Sequence, residues 1–482
     1  MTMNRRTFMQ AAGLGVVGAG LGMTRAGWAF HNSGLPTIQP SYGDIAGVQI
    51  LGYTDMSFPP GSGHGANAGN WDQTYEFRVI DTPRGRFAYC GNGGNGWSIV
   101  DVSNPRNLRV VHRHPHSTLP DNTQYIDIKG GNIMVVKRNR RLENWDVSNP
   151  SAPVLLGTFT PADIHPTANA PFHGLWVHED RRGRFAFAAC AIAGFTDMIV
   201  LCVDINDPRN PKEVSRFWYP GMNTNIGEVP TWPSTGLPDR GLPAPTVQCH
   251  DITAYGDRLY CAWRDKGLII LDISDIRNLK MVGEINWADG RPNFPSLPGQ
   301  THSMGIVIPN DGGPPDYVIA TDELGQCPFG YPHILDVRDE TRPEEVSGFR
   351  LPLNLHGNCP PDRSGRRMGV HDVERMIRGD IVWSAWEEGG FWGIDISDLH
   401  HPRPVAYYVP PVRSDSPATS RSGHADDVFV MDDGIVFGSS SDQGAGGLWA
   451  MRQAPALRGT VAWNAAETDV IVTRTDQPRN ID

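Results

Sequence analysis

The sequence predicts an all-β protein: a seven-bladed β-propeller of four-stranded antiparallel blades, closed into a ring by an N-terminal strand. Three observations lead there. A short strand ending in aspartate recurs six times. Short β-branched and aromatic runs alternate with Gly, Pro and Asp turns. The strand absent from the last repeat stands near the start of the chain.

Taken in order, residues 1–29 read as an export signal and not as part of the fold. Asn4-Arg5-Arg6-Thr7-Phe8-Met9-Gln10 is a twin-arginine motif, Ala11 to Met23 is apolar and glycine-rich, and Gly27-Trp28-Ala29 offers a cleavage site. The apolar run is too short and too rich in glycine to span a bilayer. A periplasmic location is therefore expected, with no membrane anchor once the signal is removed. The twin-arginine route carries folded proteins and often serves those loaded with a cofactor beforehand. The propeller is assigned to residues 30–455 and a C-terminal tail to 456–482.

Composition agrees with this reading. The chain has 482 residues, a formal net charge of −11, 54 Gly, 40 Pro and 9% aromatic residues. That is turn-rich β structure and not disorder. No basic stripe appears, so nucleic acid is not an expected partner. Seven cysteines leave at least one outside any disulfide. Cys90 and Cys261 occupy equivalent positions on second strands and are expected as buried, inert thiols.

The repeat is clearest over residues 369–408. A run containing Val370, Val373 and Met376 ends at Gly379-Asp380. Ile381 to Trp386, Phe391 to Ser397 and Val405 to Tyr408 follow as three further strands. The third-strand signature appears around Asp101, Asp146, Asp204, Asp272, Asp336 and Asp395, spaced 45, 58, 68, 64 and 59 residues apart. A constant core with a variable period means one supersecondary unit carrying loop insertions. The aspartates are expected to accept backbone N–H bonds where each strand ends. A seventh copy, near Gly446 to Ala450, lacks its fourth strand. Gly47 to Tyr53 resembles the other fourth strands and would close the ring, removing an open edge.

Over about residues 40–450 these copies resemble the LVIVD-repeat β-propeller family, which implies the fold but not a reaction. At the level of architecture alone, the chain is also similar to methanethiol oxidase (selenium-binding protein). The propeller half of nitrous oxide reductase, whose histidines hold copper, is another such likeness. No motif is shared with either beyond histidines on inner strands.

Aligning the repeats brings one position of each first strand into register. It carries His173, His250, His302, His371 and His424 in the third to seventh repeats, with Tyr75 or Glu76 and Gln124 or Tyr125 in the first two. First strands line a propeller's channel, so five imidazoles should converge near the axis. A ring of neutral nitrogen donors suits a transition metal. Copper is the first expectation, with iron, zinc or manganese as alternatives. Asp251 and Asp372 are placed to orient ligating imidazoles.

Most long insertions precede first strands and would gather at one mouth of the channel, where binding function is commonly carried. The turns between second and third strands bring a charged collar to the same mouth. Within it, Glu387 and Asp322 are the candidate general acid or base residues. Trp263 and Trp386, at equivalent positions, are expected as core. The expected function is a periplasmic metal-dependent enzyme acting on a small-molecule substrate, an oxidoreductase in preference to a hydrolase or lyase. The alternative is a non-catalytic scaffold whose mouth loops hold a protein partner.

Overall fold

Wherever the sequence alternates β-branched or aromatic residues between turns, the chain is extended and paired with its neighbour in sequence. The computed structural model describes residues 42–56, 73–116, 121–129, 132–168, 170–232, 245–285, 299–324, 329–354, 367–411, 424–441, 446–463 and 470–474. The expected export signal at residues 1–29, Cys327, Cys359, Asp442 and much of the expected mouth insertions lie outside them. Among the described residues there is no α-helix, and no helix is long and apolar enough to cross a membrane.

The strands fall into antiparallel units of four. The first unit is Phe77–Thr82, Gly85–Gly91, Gly96–Asp101 and Arg109–Pro115; the second is Ile126–Lys129, Ile133–Lys137, Leu142–Asp146 and Val154–Phe159. The third is Phe172–Asp180, Gly183–Ala191, Met198–Asp204 and Lys212–Phe217. The fourth is Asp251–Tyr255, Arg258–Ala262, Leu268–Asp272 and Lys280–Ile285. The fifth is Thr301–Val307, Tyr317–Asp322, His333–Asp336 and Glu344–Gly348. All six signature aspartates do what turn chemistry requires. Each Oδ1 accepts the backbone N–H two residues on, at 2.8–3.0 Å.

The sixth unit departs from a regular blade. Ile381–Trp386, Gly390–Asp395 and Arg403–Tyr408 form as expected, but the run containing His371 is irregular. His371 N–H donates to Ala385 O at 2.9 Å and Glu374 N–H to Trp383 O at 2.9 Å, while Ala385 N–H donates to Asp372 O at 2.7 Å. Only Met376–Ile377 is strand, and it pairs in parallel with the fifth unit's Thr301–Val307.

The seventh unit closes as the sequence requires. Ala425–Val430, Ile435–Ser440 and Gly447–Trp463 are completed by Asp44–Thr54, paired from Asp44↔Thr460 to Thr54↔Leu448. The N-terminal strand also touches the sixth unit at Ile45↔Tyr408 and Ala46↔Tyr407. Gly47 makes this approach possible: at φ +66° a Cβ there would lie 2.3 Å from Val405 O. The boundary expected at residue 455 falls inside Gly447–Trp463, which continues and pairs with Val470–Arg474.

Between units the large side chains stack: Trp97, Trp263, Trp386, Trp392 and Trp449 are all fully buried. Trp263 and Trp386 are core, as their register suggests. Cys90, Cys190, Cys202, Cys249 and Cys261 are buried and unpaired. Burial raises the Cys90 thiol well above its ordinary pKa, which keeps it an inert packing group.

A ring of imidazoles at the channel axis

The five histidines of the register meet. Ring centroids are 4.0 Å apart for His173–His250, 4.2 Å for His250–His302, 4.1 Å for His302–His371 and 5.9 Å for His371–His424. Tyr125 of the second unit extends the chain, 4.9 Å from His173. One close approach depends on glycine. Gly174 N–H donates to His250 O at 3.0 Å, and a Cβ at residue 174 would sit 2.3 Å from that oxygen.

Three inner strands are bulged at or just after these residues. Pairing shifts register between Phe172 and Leu175, between Thr301 and Met304, and between Ala425 and Val428. A regular strand sends neighbouring side chains to opposite faces, whereas a bulge re-aims one of them. The irregular stretch of the sixth unit has the same effect at His371 and Asp372. Both reach the centre, with His371 Nδ1 2.9 Å from Asp372 Oδ2.

Carboxylates interleave with the imidazoles. His302 Nε2 lies 3.5 Å from Glu323 Oε2, and His371 Nε2 lies 3.6 Å from Asp426 Oδ1. His424 Nδ1 lies 3.5 Å from Asp426 Oδ2, and its Nε2 lies 3.3 Å from Glu387 Oε1. The ligand atoms of His250, His302 and Glu323 lie within 4.8 Å of one another. So do those of His302, His371 and Asp372. His302 belongs to both groups. Its Nδ1 is 3.6 Å from Asp372 Oδ1, and both atoms are buried without a hydrogen-bond partner.

Against these imidazoles lies a buried ionic layer. Arg375 contacts Glu76 Oε2 and Asp251 Oδ2, each at 2.6 Å. Arg78 contacts Asp427 at 3.2 Å, Asp127 at 3.3 Å and Glu76 at 3.5 Å. Two guanidiniums thus face Glu76, Asp127, Asp251 and Asp427, while Asp372 and Asp426 are left to the histidines. Asp251 binds Arg375 and so does not orient an imidazole as expected; Asp372 does.

This surplus of negative charge splits the ring. Burial alone would lower every imidazole pKa. At His371 it is outweighed by Asp372, Asp426 and Glu323, and the pKa stands well above its ordinary value. At His424 burial is outweighed by Asp426 and Glu387, giving about 10. At His173 and His250 the nearby carboxylate, Glu323, does not outweigh burial. Burial, reinforced by Lys137 and Arg264 at His173 and by Arg264 at His250, holds both well below the ordinary value. The ring is neutral on one side and cationic on the other.

Of the two mouth carboxylates singled out in the sequence, one reaches the ring. Glu387 is fully buried, and its Oε1 meets Arg367 at 2.6 Å as well as His424. Its Oε2 accepts Gly369 N–H at 3.0 Å. Asp322 is instead committed within its own blade. It accepts from Thr301 Oγ1 at 2.9 Å and lies 2.9 Å from His333 Nε2, whose Nδ1 lies 2.8 Å from Glu345. That assignment is corrected: strand alternation turns Asp322 inward, and the next residue, Glu323, is the one that faces the ring. Glu323 also meets Arg264 at 2.8 Å and Arg367 at 3.1 Å.

Two collar residues brace the next blade. Arg264 and Glu387 hold equivalent positions with positive φ, +41° and +23°. Their carbonyls accept Thr301 N–H and Ala425 N–H, beside His302 and His424. Non-glycine residues in this conformation are uncommon and cluster at functional sites. Positions 264 and 387 follow the equivalent tryptophans, a signal present in the sequence. Arg78, Asp127, Lys137 and Arg375 carry no repeat signature, and their role was not visible there; the register reaches Glu76 as one of two choices in the first unit but does not show its pairing with arginine.

Comparison with known proteins agrees with the fold. The LVIVD repeat profile matches residues 84–114, 121–160 and 248–286, over the first, second and fourth units. The solved structure of U3-55K is similar with a TM-score of 0.50 and 9% identity, covering 84% of this chain and 98% of that one. The RRP9 WD40 repeats give 0.48 and 8%, covering 84% and 97%. Sqt1 of Saccharomyces cerevisiae gives 0.47 and 10%, covering 88% and 96%. At such identities the likeness speaks to fold alone. Comparison with curated proteins gives no match.

Proposed function

We propose that this LVIVD-repeat propeller is a metal-dependent enzyme, an oxidoreductase acting on a small molecule at the channel mouth after export to the periplasm. One observation carries the reading: His302 Nδ1 and Asp372 Oδ1, 3.6 Å apart and both without a hydrogen-bond partner. Buried polar atoms are nearly always satisfied. Two donors about 2.1 Å from a common ion at tetrahedral angles lie about 3.4 Å apart. An ion between them would satisfy both and offset the surplus of buried carboxylate.

His302, His371 and Asp372 are the residues that would hold it, His371 giving up its proton as the metal binds, and His250, His302 and Glu323 are the alternative set. A set of two imidazoles and a carboxylate suits iron, manganese or zinc, and weighs against the all-imidazole copper site expected from the ring alone. The bound metal would supply Lewis-acid or one-electron chemistry. Glu387 has both oxygens bonded, so in this arrangement it positions His424 and does not act as a free base. His424, with its raised pKa, stays a fixed cationic donor at neutral pH.

The second reading is a binding scaffold. Glu323 is already held by two arginines, and Ile226 and Val229 stand 68% and 74% exposed on an insertion assigned to the mouth. Elemental analysis of protein exported through its own signal separates the two. About one transition-metal ion per chain supports the enzyme; none after reconstitution with iron, manganese, zinc and copper in turn leaves the scaffold.

A further inference from the structure

Lys137 ends the strand Ile133–Lys137, beside the neutral side of the ring. Its backbone N–H donates to Tyr125 O at 3.0 Å, and the Tyr125 ring packs on His173. The side chain is wholly buried, yet its Nζ has no hydrogen-bond partner. His173 Nδ1 has none either, and His173 is near enough to feel the Lys137 charge. Asp121 and Glu76 are close enough to act on the Lys137 charge, but neither pairs with it. Asp121 is taken by Arg138 and Arg141, and Glu76 Oε2 by Arg375 and Arg78.

A buried ammonium with no counter-ion is costly enough that proteins rarely keep one. Repeat register makes the residue more unusual: the equivalent positions are Asn92, Trp263 and Trp386, which are hydrogen-bonded or apolar. Arg264 adds a second orphaned donor on this side, its Nε, while its Nη1 is fixed by Glu323. Unpaired Lys137 Nζ, His173 Nδ1 and Arg264 Nε thus lie on the second to fourth units, while the carboxylates that meet ring imidazoles, Glu323, Asp372, Glu387 and Asp426, come from the fifth to seventh.

We propose that Lys137, with His173 beside it, binds the carboxylate of a small organic acid, leaving the rest of that molecule toward His250 and His302. An ammonium and an imidazole together fit the two oxygens of one carboxylate. The site stands whether or not the ring holds a metal, so its test is made on chelator-stripped protein.

The probes are formate and acetate, with chloride at equal ionic strength as the control, read by thermal shift and by titration calorimetry on the full chain. Wild type should gain thermal stability from a carboxylate and not from chloride. Lys137→Met should weaken carboxylate binding about tenfold or more, the scale of one charge-assisted hydrogen bond. If that variant is not recovered folded, Lys137→Gln should show the same loss. Chloride as effective as either carboxylate in the wild type, no effect of either, or an unchanged affinity in the Lys137 variant, would overturn the proposal.

Discussion

Glu387 reaches across a blade boundary to His424, with Oε1 3.3 Å from Nε2, and the same oxygen meets Arg367 at 2.6 Å. The contact joins a turn of the sixth unit to the residue just before the first strand of the seventh. Changing Glu387 to Gln keeps the shape and removes the charge. The His424 pKa should then fall from about 10 toward its ordinary value, as seen by NMR titration of the imidazole. Metal content should stay the same. An unmoved His424 titration would mean that Asp426 alone sets its charge.

The ring's charges also predict a pH profile for metal-stripped protein. His424 is raised from 6.5 to about 10, Asp427 from 3.8 to about 7, and Glu374 from 4.5 to about 8. Burial raises both carboxyls, Asp427 with help from Asp372. For each raised group the folded state binds more protons than the unfolded chain, so stability falls as pH rises through these windows. Glu323 and Asp372, held well below their ordinary values, add stability that is lost only in acid. Denaturation midpoints should therefore decline from about pH 6.5, above the window in which the lowered His173 and His250 act in the opposite direction, to about pH 8, where the lowered Lys137 begins to do so. A flat or rising profile would contradict the charge assignments.

Asp322 should behave as a structural residue. Burial raises its pKa, while His333, held between Asp322 and Glu345 with a pKa of about 9, acts in the opposite direction. Asp322→Asn breaks a buried ionic network and should cost about 3–5 kcal/mol of stability. Metal content should persist. Unchanged stability with abolished activity would return Asp322 to a catalytic role.

The N-terminal strand is the ring's closure. Removing residues 30–54 uncovers the edge of Gly447–Trp463, and an open edge templates pairing with other chains. Size-exclusion chromatography should show aggregation, and the melting temperature should drop. A monomer with unchanged melting would contradict that role.

Much of this was legible in the sequence because repetition marks it. Six aspartates at strand ends fix the unit, and five histidines in one register fix the axis. The rest was hidden by the period-2 geometry of strands. Asp322 and Glu323 are neighbours with opposite facings, and no spacing says which one faces the channel. The bulges at Phe172–Leu175, Thr301–Met304 and Ala425–Val428 break the alternation on which such a reading depends. Arg375 and Lys137 occur in one unit each, so no repeat points to them.

The central claim is the ion at His302. Protein expressed with residues 1–29 intact should carry about one transition-metal ion per chain by elemental analysis. His302→Ala should lose it because His302 belongs to both donor groups. His371→Ala should lower occupancy, and His400→Ala, a turn residue bonded to Asp398, should leave it unchanged. Full metal retained in folded His302→Ala, or a wild type empty after reconstitution with each metal, would contradict the account.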